Sequence, residues 1–286
     1  MGQFPIGLHT AYYGEYGNNI ITPRVYSRIA AHGAAPDGNG GFGVLEDFRT
    51  FGGILDSDIS ATAGFYASES GWFRSYQDTS DTIAQVATEK SGVIRFTTAA
   101  TDNNESWLSP GGAATVNGVI STTAGEPTMY GFGYRVRFTQ VTDTYNAFLG
   151  AGEEGLAAAD TITDAAALKT TADFIGFHVA EGDGDALTFK YQKASAAVQT
   201  VLTYSTALAA ATWYNLEFLY DSSQPDSKKG TIWINGVEQT SYITAANLAA
   251  STFPNGEELN LLMGIKNQTN ASKSIDLDGF WLYCGR

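Results

Sequence analysis

The chain has 286 residues, 43% of them hydrophobic, and its 30 acidic against 16 basic side chains give a formal net charge of −14. That length is enough to bury a full core, and no apolar run approaches the roughly 18 to 20 residues of a membrane-spanning helix. A balance this acidic repels a phosphate backbone, so neither nucleic acid nor a membrane is expected as a partner.

Met1-Gly2-Gln3-Phe4-Pro5 lacks a basic n-region and an apolar h-region, so no secretory leader is expected. The single cysteine, Cys284, has no intrachain disulfide partner and fits assembly in a reducing cytoplasm. Residues 1–43 are rich in Gly, Tyr and Pro and show neither helical nor strand periodicity, as in Ala11-Tyr12-Tyr13-Gly14-Glu15-Tyr16-Gly17 and Ala34-Ala35-Pro36-Asp37-Gly38. Such a segment cannot bury a core of its own and reads either as a disordered tail or as an extended arm ordered on another protein chain. Phe4, Tyr12, Tyr13, Tyr16 and Tyr26 favour the arm, because aromatic rings are costly to leave in water.

From residue 44 to 286 the texture changes to short strands between turn residues. Alternation of apolar with polar or small residues predicts strands at Ile83 to Val86, Gly92 to Thr97, Met129 to Phe138, Ala147 to Leu149, Phe174 to Val179 and Leu187 to Gln192. It continues at Val198 to Tyr204, Trp213 to Tyr220, Gly230 to Ile234, Asn260 to Ile265 and Ile275 to Tyr283. Asn235-Gly236 is the dipeptide that best tolerates the positive φ angles of a tight hairpin turn. Glu154 to Thr170 and Ile243 to Ala250 are Ala-rich without an apolar stripe, so short surface helices or structured loops are expected there rather than core elements. Evenly spaced strands without amphipathic helices predict an all-β, antiparallel jelly-roll sandwich over 44–286, preceded by the arm at 1–43.

Several stretches resemble the concanavalin A-like lectin/glucanase superfamily, also called the laminin-G-like jelly roll. They are Gly92 to Asn104, the central strands Met129 to Phe138 and Phe174 to His178, the hairpin Ile232-Trp233-Ile234-Asn235-Gly236 and the closing strand Ile275-Asp276-Leu277-Asp278. With a Gly/Tyr-rich arm in front, the set is similar to structural proteins of tailed-bacteriophage virions that carry this fold.

The resemblance raises glycan hydrolysis, because glucanases of this fold project carboxylates from one strand. A retaining mechanism needs two carboxyl groups about 5 to 5.5 Å apart. The family's Glu-x-Asp-x-x-Glu pattern is absent, and the nearest substitutes are Asp276 and Asp278 on one face with Glu217 on another strand. No catalytic residue and no enzymatic activity is therefore expected. Glu181-Gly182-Asp183-Gly184-Asp185 lacks the closing Glu of a calcium loop and reads as an acidic hairpin turn. His9, His32 and His178 have no second histidine at metal spacing, so no metal and no cofactor are expected. Trp213, Trp233 and Trp281 sit in strand patterns that predict core positions, whereas Trp72 and Trp107 lie in turn-like contexts and are the candidate glycan-binding residues.

The expected role is that of a non-enzymatic virion protein, assembled in the host cytoplasm, that decorates or cements a capsid. Phe4, Tyr12, Tyr13, Tyr16, Arg24, Tyr26 and Arg28 would dock on neighbouring virion subunits, in a symmetric homo-oligomer such as a trimer. The alternatives are a carbohydrate-binding receptor or adhesin module and, second, a glycan-degrading enzyme.

Overall fold

The computed structural model describes residues 42–46, 64–66, 73–77, 80–89, 92–110, 120–122, 128–141, 145–153, 156, 161–165, 167–180 and 186–285. The first strands are β1 (Phe42–Glu46), β2 (Gly64–Tyr66), β3 (Phe73–Gln77), β4 (Thr82–Gln85), β5 (Ile94–Thr97), β6 (Glu105–Pro110) and β7 (Ile120–Ser121). The long central strands follow: β8 (Met129–Phe138), β9 (Tyr145–Glu153), β10 (Phe174–Val179), β11 (Leu187–Gln192), β12 (Gln199–Thr203) and β13 (Thr212–Asp221). The chain continues through β14 (Gly230–Ile234), β15 (Val237–Glu238), the helix α1 (Ala245–Ala249), β16 (Glu258–Asn267) and β17 (Ser274–Gly285).

These strands make two sheets, and every strand pair in them is antiparallel. The first runs β15-β14-β13-β8-β17-β5-β4, with β1 also paired to β17; the second runs β12-β11-β10-β9-β16-β6-β3-β2, with β7 paired to β16. Strand period two builds the core between them. In β8 the residues Tyr130, Phe132, Tyr134, Val136 and Phe138 point inward, which leaves Gly131, Gly133, Arg135 and Arg137 on the outer face. Leu149 and Ala151 of β9, Ile175, Phe177 and Val179 of β10, and Leu187, Phe189 and Tyr191 of β11 meet them from the second sheet. Phe189 and Phe218 pack across the gap at 5.0 Å, and the buried Tyr134 hydroxyl donates to Gly150 O at 2.6 Å, tying sheet to sheet.

β17 carries a β-bulge: Leu277 pairs with Val136 and Gly279 with Arg135, so Asp278 is the extra residue. The bulge resets the alternation. Ile275, Leu277, Phe280 and Leu282 all reach the core, and Asp276, Asp278, Trp281 and Tyr283 are left for the outer face. At the centre of the second sheet Gly150 pairs with Gly176, and a Cβ on Gly150 would stand 2.6 Å from Gly176 Cα, so the two backbones meet where side chains are excluded.

The expected hairpin is present. Asn235 and Gly236 adopt φ of 52° and 74° between Ile234 and Val237, which face each other. α1 is the short surface helix expected near Ile243 to Ala250; Asn247 N donates to Thr244 Oγ1 while Thr244 N donates to Asn247 Oδ1. The segment around 154–172 differs from expectation. Leu156, Ile162, Leu168 and Ala172 are buried with Trp107, Phe148, Phe174 and Leu262 in a second apolar cluster on the outer face of the second sheet. Three carbonyls, of Lys169, Thr170 and Ala172, accept from Gln192 Nε2 at 3.1, 2.7 and 3.1 Å, which fixes the end of this segment against β11. β1, β2, β3, β6, β7 and β15 were not among the predicted strands, being short or interrupted by Ser, Gly and Pro. Residues 1–41 of the expected arm lie outside the described residues.

Candidate functional site

The outer face of the first sheet brings four strands into one polar row. Arg95 on β5 pairs with Asp276 on β17, Asp276 with Arg137 on β8, and Arg137 with Trp213 on β13. Asp276 is fully buried, and its carboxylate accepts from Arg95 Nε at 2.6 Å and Nη2 at 2.9 Å, and from Arg137 Nε at 2.8 Å and Nη2 at 2.6 Å. The second row lies one step along. Arg135 Nε donates to Asp278 at 2.8 Å and its Nη1 to Asn215 Oδ1 at 3.3 Å, while Asn215 N donates to Asn235 Oδ1 at 2.9 Å. Glu89, after β4, reaches Arg137 Nη2 at 2.8 Å.

Trp213 completes the surface. Its ring lies 5.0 Å from the Arg135 guanidinium carbon and 4.6 Å from that of Arg137, and part of it stays exposed. Hydrogen bonding to Asp276 holds the Arg95 pKa above its usual value, and in Arg137 the bonds to Asp276 and Glu89 outweigh the opposing effect of burial. The result is a partly exposed indole with two guanidiniums over its ring, set among ordered polar groups, an arrangement suited to a polyhydroxylated ligand.

The three carboxylates expected as nearest substitutes for a catalytic set do not converge. Glu217 pairs with Gly133 and Trp233, four residues along and two strands across from Asp276, about 16 Å away by strand geometry. Its side chain meets the Trp281 indole above Gly133 instead. Asp276 and Asp278 share the face as expected, but each is bound by arginine.

Trp107 has a role other than the expected one. It is fully buried in the second cluster, its indole lying over Gly264, so it offers no exposed platform to a sugar. The turn-like sequence around it becomes β6, and Leu156, Ile162, Leu168 and Ala172 cover Trp107 on its outer face. Trp213, expected in the core, is partly exposed, because β13 turns it outward beside Arg137. Trp72, the acidic turn at 181–185, His9, His32, and Phe4, Tyr12, Tyr13, Tyr16, Arg24, Tyr26 and Arg28 lie outside the described residues. His178 is buried on the outer face of the second sheet with Nδ1 3.2 Å from Lys190 Nζ; burial, and then the Lys190 ammonium, push its pKa down to about 3. Among the described residues no group of three or more His, Cys, Asp or Glu stands together as a metal site.

Arg95, Arg135, Arg137 and Asn215 were not singled out from the sequence. The signal was present, since Arg135 and Arg137 follow Gly131 and Gly133 at spacing two, opposite the aromatic face of the same strand.

No family model matches the chain, and no curated protein matches it. Among solved structures it is similar to a protein of unknown function from Shewanella oneidensis MR-1, with TM-score 0.54 and 14% identity, covering 93% of this chain and 95% of that one. It is also similar to a Bacteroides ovatus GH16 protein of a mixed-linkage glucan locus, in complex with its G4G4G3G product, with TM-score 0.51 and 8% identity over 84% of this chain and 99% of that one. A third is the endo-β-1,4-glucuronan lyase of the fungus Trichoderma reesei, with TM-score 0.50 and 11% identity over 79% of this chain and 95% of that one. At these identities the likeness is one of fold. It nevertheless overturns the expectation of no enzymatic activity, which was drawn from the missing Glu-x-Asp-x-x-Glu pattern of the glucanases, because the same fold carries a lyase. The chain is an all-β, antiparallel jelly-roll sandwich, the fold of these solved structures.

Proposed function

We propose that this protein is a glycan-binding jelly roll that holds a polysaccharide on the outer face of its first sheet, with Trp213, Asn215, Arg95, Arg135 and Arg137 as the contact residues. The observation that carries the reading is the partly exposed Trp213 ring framed by two guanidiniums that carboxylates hold in place. A pyranose presents a weakly polar face to an aromatic ring and hydroxyls to the surrounding planar donors, and the ordered side chains need little further immobilisation on binding. The sandwich shared with a glucan-bound GH16 protein and a glucuronan lyase supports the same direction. The expected part in capsid decoration draws on residues 1–43, and these neighbours add nothing to it.

Native affinity electrophoresis in gels cast with soluble polysaccharides tests the reading. The full chain is retarded, and Trp213→Ala loses about 30-fold in affinity, the ~2 kcal/mol of an anchoring aromatic. An unchanged melting temperature for the variant shows that the loss is local. Release of new chain ends from the same polymers measures cleavage. Retardation that survives Trp213→Ala removes the face from consideration.

A further inference from the structure

Resting on that reading of the Trp213 face, we infer that its ligand is a neutral polysaccharide, recognised through hydroxyl and ring oxygens, and not a polyuronate or sulfated chain.

Three guanidiniums on the outer face of a sheet suggest an anion site at first sight. Their partners remove that property. Arg95 meets Asp276 at 2.6 Å, Arg135 meets Asp278 at 2.8 Å, and Arg137 meets both Asp276 at 2.6 Å and Glu89 at 2.8 Å. Three positive charges therefore stand against three negative ones, and the patch is formally neutral on a chain whose net charge is −14.

Geometry adds to the charge balance. A carboxylate is received best by the planar fork of an arginine, through two parallel N–H bonds. In Arg95 the fork of Nε and Nη2 already grips both oxygens of Asp276, and in Arg137 the same two nitrogens converge on Asp276 Oδ2. A glycan carboxylate would have to displace Asp276, which is fully buried, and leave that charge without its partners, an exchange that gains nothing. Entering without displacing it, the anion would sit beside Asp276, Asp278 and Glu89 and be repelled. A hydroxyl meets neither obstacle, since it accepts a single bond from an outlying N–H and donates to a carboxylate lone pair. Asn215, whose Oδ1 accepts from Arg135, places an uncharged amide near Trp213, and the indole carries no charge either.

The test uses the full-length protein with two probes of defined charge, neutral mixed-linkage β-glucan and polygalacturonate, in affinity gels at several salt concentrations. The neutral polymer is expected to bind at least about tenfold more tightly, with little change from 50 to 500 mM NaCl, because no counterions are released when an uncharged chain docks. Equal or tighter binding of polygalacturonate, weakening steeply with salt, overturns the inference while leaving the glycan face in place. Binding of neither polymer overturns the glycan reading itself, and the inference with it.

Discussion

Replacing Asp276 by alanine removes the centre of the row that joins β5, β17 and β8. The carboxylate is fully buried and receives four hydrogen bonds from two arginines, so the clamp is held by one acidic residue. Breaking a buried pair costs about 3 to 5 kcal/mol when the surviving charge stays buried. Here the survivors regain water unequally, the Arg95 side chain being 41% exposed and that of Arg137 17%. Arg137 also keeps Glu89 at 2.8 Å. The expected loss for Asp276→Ala is therefore near the lower end, about 3 kcal/mol. Arg137→Ala leaves Asp276 bound by Arg95 and should cost about 2 kcal/mol, whereas Arg95→Ala removes the most exposed partner and should cost under about 1 kcal/mol. Urea unfolding of the three variants, compared at equal m-value, reads the order directly. If Asp276→Ala is no more costly than Arg95→Ala, the row is a set of solvated surface pairs, and the preorganisation invoked for glycan binding has no basis.

His178 gives a pH-dependent prediction. Its folded pKa of about 3 lies below the value of about 6.5 expected in the unfolded chain, so only the unfolded state gains a proton between them. Stability from this group is complete above about pH 6.5 and is lost as pH falls, and by pH 4 His178→Phe should have lost roughly 3 kcal/mol less than the wild type relative to pH 7. Parallel acid-unfolding curves for the two proteins would refute this. Gly150→Ala places a methyl group against the Ile175 carbonyl and the Gly176 backbone, and a cost of about 3 kcal/mol or more, or loss of soluble protein, is expected, with wild-type melting as the contrary result. Asn267 Nδ2 donates to Ala99 O at 2.7 Å and Thr98 Oγ1 at 3.2 Å, both near the end of β5, so Asn267→Ala should destabilise by about 1 to 3 kcal/mol and speed hydrogen exchange around 98–104. Unchanged exchange there would show that the loop is held by other contacts.

The alternation of side chains settled a good deal before any coordinates. Period two in Met129 to Phe138, Phe174 to Val179 and Leu187 to Gln192 named the strands and their bounds, because alternation between the two faces of a sheet is a local property of consecutive positions. Asn235-Gly236 named its turn for the same reason, since positive φ is a property of the residue itself. Trp107 and Trp213 show where local reasoning stops: both lie on outer faces, and their exposure depends on whether a distant segment covers them. Leu156, Ile162, Leu168 and Ala172, from a segment with no stripe of its own, bury Trp107, and that contact exists only once β6, β9, β10 and β16 stand side by side.

The Arg95–Asp276 pair spans 181 positions in the chain. Periodicity places each of the two on a face but says nothing about which strand lies beside which. The order β13-β8-β17-β5, together with the bulge at Asp278, places Arg95, Asp276, Arg137 and Trp213 in one row. The sequence alone determined an all-β chain and the two faces of its strands, because both follow from neighbouring residues. Only the tertiary structure decided which polar residues meet, that Trp107 is covered and that Trp213 stays partly in water, because strand pairing is a choice among distant segments made by the packing of the whole core.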